Sequence, residues 1–357
     1  MERNLTAEEG EIAEIIRGVL AAQARTAAEE NRPLRRATHA KGVCARAVFE
    51  VLDVAQGRDP ALAARLAKGI YARPGCYRAT VRFANGDFGV NTDWRPDVRA
   101  LSFCVELGTA DTSAAGTQVA RQDYSLQSWP TLPMNDVHDF WVFAKVLEAP
   151  NPTIAMGSLS FQDQLAYAQM MTRITEQIRH PLRPYQQLRY WSNVPFRHGA
   201  EDVVKFSASP AAANPAGAFD LDKPDPNALG NELIRHLNED ATMSSFDFGV
   251  QFLDTESMLY QGKRRDAAFW VENAAVEWPE AQSPFHTLAR LTLLPKSQLS
   301  AEASEAMHID VTTNSTADSA GVGGINRVRW YAEFASQNAR LGRPQQADRA
   351  SDMRGGT

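Results

Sequence analysis

Short segments in which apolar and polar residues alternate recur along most of this chain. Alternation with a period of two is typical of β-strands that bury one face. Such segments lie at residues 78–83, 100–107, 122–127, 203–207, 246–252 and 288–293, and short apolar runs at 47–52 and 267–271 continue the pattern. Because so many strands would otherwise leave exposed edges, the pattern favours an antiparallel sheet closed into a barrel.

Helical periodicity interrupts the strands in a few places. Thr6 and Glu9 form a capping box, and Ile12, Ile15 and Val19 follow at helical spacing, which predicts an N-terminal amphipathic helix. Further helices are predicted at 135–147, 161–179 and 326–341, and a long loop at 210–226. The expected class is therefore α+β, a closed antiparallel β-barrel with flanking helices.

Composition excludes several classes of function. The net charge of −6 argues against a nucleic-acid partner, which would favour a basic excess. No apolar run reaches the length of a membrane span, and the first residues do not form a signal peptide. Cys44, Cys76 and Cys104 are widely spaced, which suits a reduced setting. We expect a soluble, cytoplasmic protein.

One heptad carries the chemistry that the strands alone do not predict. Residues 36–42 read Arg-Ala-Thr-His-Ala-Lys-Gly, with Arg36 three positions before His39. This segment resembles the distal-histidine segment of the haem catalases. A histidine suits acid–base work near neutral pH, since its ordinary pKa lies close to that range.

The resemblance recurs in order from residue 30 to residue 342. Matching stretches are Val81-Arg82-Phe83, the turn at 95–99, the strand and turn at 122–130, Phe140, and the segments at 190–197, 276–285 and 324–327. The chain is most similar to the small catalase-related haem proteins, which keep only the barrel core. The resemblance implies a catalase-like barrel that binds haem b. It assigns residues 31–342 to a haem-binding domain, which the predicted N-terminal helix at 1–30 precedes. The polar, Gly- and Arg-containing residues 343–357 are expected to form a flexible tail.

The resemblance assigns roles to single residues. Arg36, Arg82 and Arg340 match the positions that hold the haem propionates, for which the guanidinium fork is well suited. His39 takes the place of the distal acid–base residue, and Phe140 that of a phenylalanine near the haem. Two distal positions differ from the family: Gln127 replaces an asparagine, and Ala84 replaces a small hydroxyl residue whose hydroxyl would orient His39.

The proximal iron ligand differs most. In the gapless register fixed by Arg340, Arg329 takes the place of the arginine that supports the ligand, and Glu333 that of the ligand tyrosine. Tyr331 follows Arg327 with the same spacing, so a shifted register would restore a tyrosine. Two residues on a helix are separated by roughly 200° of rotation, so Tyr331 and Glu333 cannot both face one iron. We favour Glu333 and keep Tyr331 as the alternative.

These departures predict a weak catalase. We expect an oxidoreductase that uses hydrogen peroxide or a small organic hydroperoxide, with peroxidase-type or other haem-dependent organic chemistry, such as a lyase or isomerase of lipid hydroperoxides. The alternative is a haem-free protein of the same fold that binds a ligand or partner. The resemblance further implies a homo-oligomer. The remaining histidines show no metal-ligand spacing, and no nucleophile motif is present.

Overall fold

A computed structural model describes residues 8–113, 116–217, 219–239 and 243–343. Within these ranges the strands are β1 (Gly42–Val51), β2 (Gly75–Asn85), β3 (Arg99–Thr112), β4 (Gln118–Gln127), β5 (Tyr190–Trp191), β6 (Phe196–His198), β7 (Asp202–Pro210), β8 (Ser245–Phe252), β9 (Leu259–Tyr260), β10 (Lys263–Arg264) and β11 (Phe285–Gln298). The helices are α1 (Glu9–Glu29), α2 (Pro60–Leu66), α3 (Val137–Glu148), α4 (Pro152–Ser158), α5 (Phe161–Gln177), α6 (Ala228–Glu239), α7 (Ala267–Glu272), α8 (Ala301–Ala306) and α9 (Gly324–Arg340).

Eight strands close into one antiparallel barrel, which confirms the predicted architecture. Their order is β5-β4-β3-β2-β1-β11-β8-β7, and β7 pairs back with β5 to complete the ring. The short strand β6 pairs with the first residues of β7, on the edge that β5 also uses, and β9 and β10 form a separate hairpin. The strands β1 and β2 pair without interruption from Gly42 opposite Ala84 to Val51 opposite Gly75.

The barrel interior is filled by aromatic side chains. Phe49, Phe103, Tyr124, Phe206 and Phe248 are buried there with ring centroids 4.7 to 6.1 Å apart. Each ring removes a large apolar area from water, so the interior is a packed core.

Strand alternation places a polar row on the outer face of the same barrel wall. Arg82 lies between the core residues Val81 and Phe83 and therefore points outward. The register sets Arg82 opposite Ser102, and Ser102 opposite Ser125 on the next strand. This row presents two small serine side chains and the guanidinium group of Arg82 on the outer surface of the barrel.

Helices cover this polar row. The N-terminal helix α1 packs against α3 and α9, and its buried apolar side chains share a small core with both of them. Gly18 of α1 allows close approach, because a Cβ there would lie 3.0 Å from the carbonyl oxygen of Ala144. The predicted N-terminal helix is confirmed, although Thr6 of the expected capping box lies outside the described residues.

Three other helix predictions and the loop are also confirmed. The structure has α3, α5 and α9 close to the predicted bounds, and Asp136 caps α3 by accepting a hydrogen bond from the backbone N–H of Asp139. The segment after β7 is irregular up to α6, apart from the undescribed residue 218. Of the predicted tail at 343–357, only Arg343 lies within the described residues.

One predicted strand is wrong. The apolar run 267–271 belongs to the helix α7, whose N-cap Asp266 accepts a hydrogen bond from the backbone N–H of Phe269. A short apolar run fits either a buried strand or a buried helix, and here the cap decides between them. None of the described helices is long and apolar enough to cross a membrane.

Candidate functional site

Two adjoining cavities lie between the polar row of the barrel and the helices that cover it. The first, here called the arginine chamber, has a volume of about 220 Å³ and contains Arg36, Arg82 and Arg340 in its wall. The second, here called the apolar chamber, has a volume of about 320 Å³ and contains Gln127. Seven residues line both chambers: Val19, Thr38, His39, Ser125, Phe140, Arg329 and Glu333. The structure thus brings all the predicted site residues except Tyr331 to one place.

His39 lies in the turn before β1 and faces both chambers. Its Nδ1 donates a hydrogen bond to the carbonyl oxygen of Asn85 at 2.9 Å. Since a carbonyl can only accept, the proton resides on Nδ1 and Nε2 keeps its lone pair. Burial, and then the nearby positive charges of Arg82 and Arg329, lowers the pKa of His39 to about 4. At neutral pH the ring is therefore an uncharged base.

The three arginines form a like-charged cluster, which we call the arginine cluster. Burial first, and then repulsion from Arg82 and Arg340, lowers the pKa of Arg36 to about 9. The carboxylate of Glu305, on α8, lies 3.3 Å from Nη1 of Arg36 and 3.6 Å from Nη1 of Arg340. One carboxylate against three guanidinium groups leaves a surplus of positive charge.

Arg82 is the least satisfied member of the arginine cluster. Its Nη2 donates to the carbonyl oxygen of His39 at 2.7 Å, whereas its buried Nε has no hydrogen-bond partner among the described residues. Gly42 makes room for the guanidinium, because a Cβ at that position would lie 2.7 Å from Cζ of Arg82. A buried donor without a partner is costly, so this atom favours an incoming acceptor.

The helix α9 supplies the opposite wall of the arginine chamber. Its cavity-lining residues recur at helical spacing along one face: Val328, Arg329, Ala332, Glu333, Ser336, Gln337 and Arg340. The phase of the helix is fixed at its start, where Glu272 accepts a hydrogen bond from the backbone N–H of Gly324 at 2.8 Å and pairs with Arg327.

This helix phase distinguishes the two candidates for the iron ligand. Glu333 lines both chambers, and Nε of Arg329 donates to its Oε1 at 2.6 Å. Burial raises the pKa of Glu333, although the charge of Arg329 opposes the rise. Tyr331 instead packs with the small core that α9 shares with α1 and α3. The structure therefore places Glu333, and not Tyr331, in the wall of the cavity.

Gln127 and Phe140 occupy different parts of the site. Gln127 ends β4 and lines only the apolar chamber, whereas Phe140 on α3 lines both chambers. Most other residues of the apolar chamber carry no polar side chain: Phe88, Val98, Leu132, Pro133, Met134, Phe143, Leu147, Ile174, Ile178, Val194 and Ile325. Ala84 is buried in the sheet without a hydroxyl, so it cannot orient His39.

Sequence analysis missed two carboxylates at the site. Asp97 lines the apolar chamber, where burial raises its pKa to about 6. Its Oδ2 accepts hydrogen bonds from the backbone N–H groups of Gly86 and Asp87. Glu305 lies 269 positions after Arg36 in sequence and beside it in space. Asp97 lies in the turn at 95–99, which was matched without a role for this residue. No local pattern marks Glu305, which reaches the site from the short helix α8.

The charge of the site fits the anionic group that the resemblance implies. Arg36, Arg82 and Arg340 carry three positive charges, of which Glu305 neutralises one, so the remaining two match the two propionates of haem. The small side chains Ser102 and Ser125 leave space above the barrel wall. Glu333 offers an oxygen donor, an anionic ligand of the kind a ferric iron accepts.

Comparisons with known proteins identify the fold. No family model matches this sequence, and no curated protein sequence matches it. Among solved structures, catalase A from Saccharomyces cerevisiae superposes with a TM-score of 0.63 and 15% identity, over 89% of this chain and 63% of that one. A fungal catalase gives a TM-score of 0.61 and 14% identity, over 90% of this chain and 62% of that one. The fold is therefore catalase-like, and the chain spans less than two thirds of the length of these catalases.

Proposed function

We propose that this catalase-like chain is a haem-dependent oxidoreductase that acts on hydrogen peroxide or a small organic hydroperoxide. One observation carries the proposal: an uncharged His39 and the surplus positive charge of the arginine cluster line the same enclosed cavity. A base without its own charge and a strong anion site are the two features that a haem peroxide site requires.

The residues have separate tasks in this proposal. Haem b would supply the redox-active iron. Arg36, Arg82 and Arg340 would hold its two propionates, and Phe140 would pack against the ring. Glu333 would be the iron ligand, and the charge of Arg329 would favour its ionised form against the effect of burial. Tyr331 is not proposed as the ligand, because it lines neither chamber.

His39 and Gln127 would act on the hydroperoxide itself. Nε2 of His39 can take the proton from one peroxide oxygen and return it to the other, since the Asn85 carbonyl holds the second ring proton on Nδ1. The amide of Gln127 can donate a hydrogen bond from the apolar chamber. Because this chamber is mainly apolar, it favours a hydroperoxide with an organic substituent over hydrogen peroxide.

A second candidate is a haem-free ligand-binding protein of the same fold. One observation favours it: Glu305 already pairs with Arg36 and Arg340, and Arg329 with Glu333, so much of the buried charge has partners within the chain. In that case the chambers would bind an anionic organic ligand directly.

The absorption spectrum of protein produced with ample haem tests the two candidates. We expect a Soret band that the substitution Glu333→Ala shifts or weakens. Tyr331→Phe is the matched control, since it lies two residues away on the same helix and outside the cavity. A folded protein that takes up no haem would contradict the proposal and support the ligand-binding alternative.

Three wider expectations belong with the proposal. Residues 31–342 would form the haem-binding domain, with α1 closing one side through Val19. A cytoplasmic location agrees with three cysteines that form no disulfide. Assembly as a homo-oligomer stays a prediction, and gel filtration with light scattering tests it.

A further inference from the structure

The backbone of His39 is held in an unusual conformation. Its φ is 60°, in the left-handed region that non-glycine residues rarely adopt. Three hydrogen bonds hold it: Nη2 of Arg82 donates to its carbonyl oxygen at 2.7 Å, its N–H donates to Gly86 at 3.4 Å, and its Nδ1 donates to Asn85 at 2.9 Å. All three partners lie at the end of β2 or directly after it. The placement of the ring therefore depends on the placement of residues 82 to 86.

The side chain of Asn85 is itself anchored. It is 2% exposed, and its Nδ2 donates to Oδ1 of Asp93 at 2.8 Å. Its Oδ1 accepts a hydrogen bond from the hydroxyl of Tyr185 at 3.2 Å. With Ala84 in place of a hydroxyl residue, the carbonyl of Asn85 is the hydrogen-bond partner that the structure gives to the ring of His39. The position of Asn85 therefore decides the orientation of the imidazole.

Asp93 joins three parts of the chain behind His39. Its carboxylate is 1% exposed and lines neither chamber. Besides Asn85, Oδ1 contacts Nζ of Lys41 at 2.8 Å, and Oδ2 accepts a hydrogen bond from the backbone N–H of Leu229, on α6, at 2.8 Å. Lys41 lies two residues after His39, so Asp93 fixes the histidine turn from both sides. A carboxylate suits this place because all three partners donate.

We propose that Asp93 is the positioning residue for His39: it holds Asn85 and Lys41 so that the imidazole keeps one tautomer and faces the chambers with Nε2. The importance of Asp93 for turnover rests on the proposed function, whereas the effect of Asp93 on the imidazole of His39 does not. The substitution Asp93→Asn replaces one acceptor oxygen by an NH2 group, which donates. That group must then face another donor, either the N–H of Leu229 or the side chains of Asn85 and Lys41.

The test reads the two ring nitrogens of His39 by NMR, in full-length protein labelled at histidine with nitrogen-15 and without added haem. The signals are assigned by their loss in His39→Gln. We expect wild type to show the single Nδ1–H tautomer at neutral pH. In Asp93→Asn a second tautomer becomes populated, to about a tenth or more of the molecules. Unchanged ring signals in folded Asp93→Asn would overturn the proposal.

Two further variants guard against a general loss of structure. Asp123→Asn is the matched control, because Asp123 is equally buried, at 1% exposure, and its Oδ2 accepts hydrogen bonds from Arg121, Asp310 and Asn314. It should leave the His39 signals unchanged. Tyr185→Phe removes only the hydroxyl that binds Asn85 and should give a smaller change in the same direction. If Asp93→Asn does not fold, unchanged signals in Tyr185→Phe would count against the proposal.

Kinetics of the haem-loaded protein separate this inference from the proposed function. We expect Asp93→Asn to lower kcat with a hydroperoxide by roughly 100-fold or less and to leave KM nearly unchanged, since binding is intact and only the base is misplaced. A wild type that takes up no haem would end the proposed function and leave the NMR result standing. A haem-loaded Asp93→Asn with wild-type kcat and ring signals would overturn the role of Asp93 alone.

Discussion

The imidazole of His39 is enclosed with guanidinium groups, and this determines how its charge responds to pH. Burial and the neighbouring Arg82 and Arg329 lower its pKa to about 4, whereas an unfolded histidine titrates near 6.5. Between these values the unfolded chain holds more protons than the folded one, so acid favours unfolding.

This difference predicts a pH-dependent part of the stability. The contribution of His39 is fully present above pH 6.5 and is lost as the pH falls toward 4, by up to about 3 kcal/mol. We expect the urea midpoint of wild type to fall more steeply over this range than that of His39→Gln. Parallel midpoint curves for the two proteins would show that the folded histidine titrates normally.

Glu305 sets the charge that the arginine cluster presents to a ligand. The substitution Glu305→Gln should raise the net charge of the cluster from two to three and lower the stability of haem-free protein by about 1–3 kcal/mol, as Arg36 and Arg340 lose their anionic partner. Haem should bind several-fold more tightly, by about 1 kcal/mol, and its dimethyl ester, which lacks the propionate charges, should not.

Two comparisons make the Glu305 measurement specific. Glu302→Gln lies on the same short helix and is exposed, so neither stability nor haem affinity should change. Equal effects on haem and on its dimethyl ester, measured by titration of the absorption band, would contradict the charge argument.

Single residues differ in how well sequence alone locates them. The arginines and His39 lie in or near recognisable segments, and the resemblance left Glu333 and Tyr331 as candidates for one ligand position. Which of the two lines the cavity depends on the phase of α9, which Glu272 sets from a helix more than fifty residues earlier. Asp93 and Glu305 act through partners distant in sequence, so no spacing reveals them.

At the scale of elements, the packing of α1 against α3 is sensitive to one added methyl group. A Cβ at Gly18 would lie 3.0 Å from the carbonyl oxygen of Ala144 and 3.2 Å from its Cβ, whereas a Cβ at Gly10 meets nothing within 4 Å. We expect crowding against α3 in Gly18→Ala to lower the free energy of unfolding by about 1–3 kcal/mol. The higher helix propensity of alanine offsets part of this loss.

Gly10→Ala is the matched control on the same helix. It should leave the melting temperature unchanged or raise it, since alanine favours a helix by up to about 1 kcal/mol and no contact opposes it. The two melting temperatures from circular dichroism give the test. Equal shifts would mean that α1 does not press against α3.

Several short helices escaped prediction although their first turns carry signals. Asp59-Pro60 begins α2 and Asn151-Pro152 begins α4, each with a capping side chain followed by proline at the first helical position. The run 267–271 has the cap Asp266 and was still taken as a strand. In segments of six or seven residues, apolar periodicity carries too little information, and the cap is the better guide.

For the whole molecule, the barrel is closed at one narrow seam. Ten consecutive residue pairs join β1 to β2, whereas β5, with two residues, connects β4 to β7. We expect the amide hydrogen of Trp191 to exchange with solvent through local opening. The free energy of that opening should be lower than for the amides at the centre of β1. Native-state hydrogen exchange measures both, and equal protection would contradict a weak seam.

The closed barrel was predictable as a whole, but the strand that closes it was not. Strand alternation indicated the long strands, and edge protection favoured a ring. The closing strand β5 has only two residues and lies in a segment recognised by resemblance, without a strand pattern of its own. Closure there depends on backbone pairing with β7 that no local sequence specifies.

The arginine cluster contains residues from near both ends of the described chain. It therefore cannot be complete until translation has reached α9. Arg36 leaves the ribosome long before Arg340, by roughly 15 to 60 s at ordinary elongation rates. Gln23 of α1 donates a hydrogen bond to the carbonyl oxygen of Ser336, so this contact also cannot form until α9 has been translated. Until α9 emerges, the nascent barrel carries Arg36 and Arg82 without the wall opposite them. If the chain binds haem as proposed, the cofactor would be loaded only after α9 has been translated. Until then the outer face of β2 to β4 would lack the wall that α9 supplies.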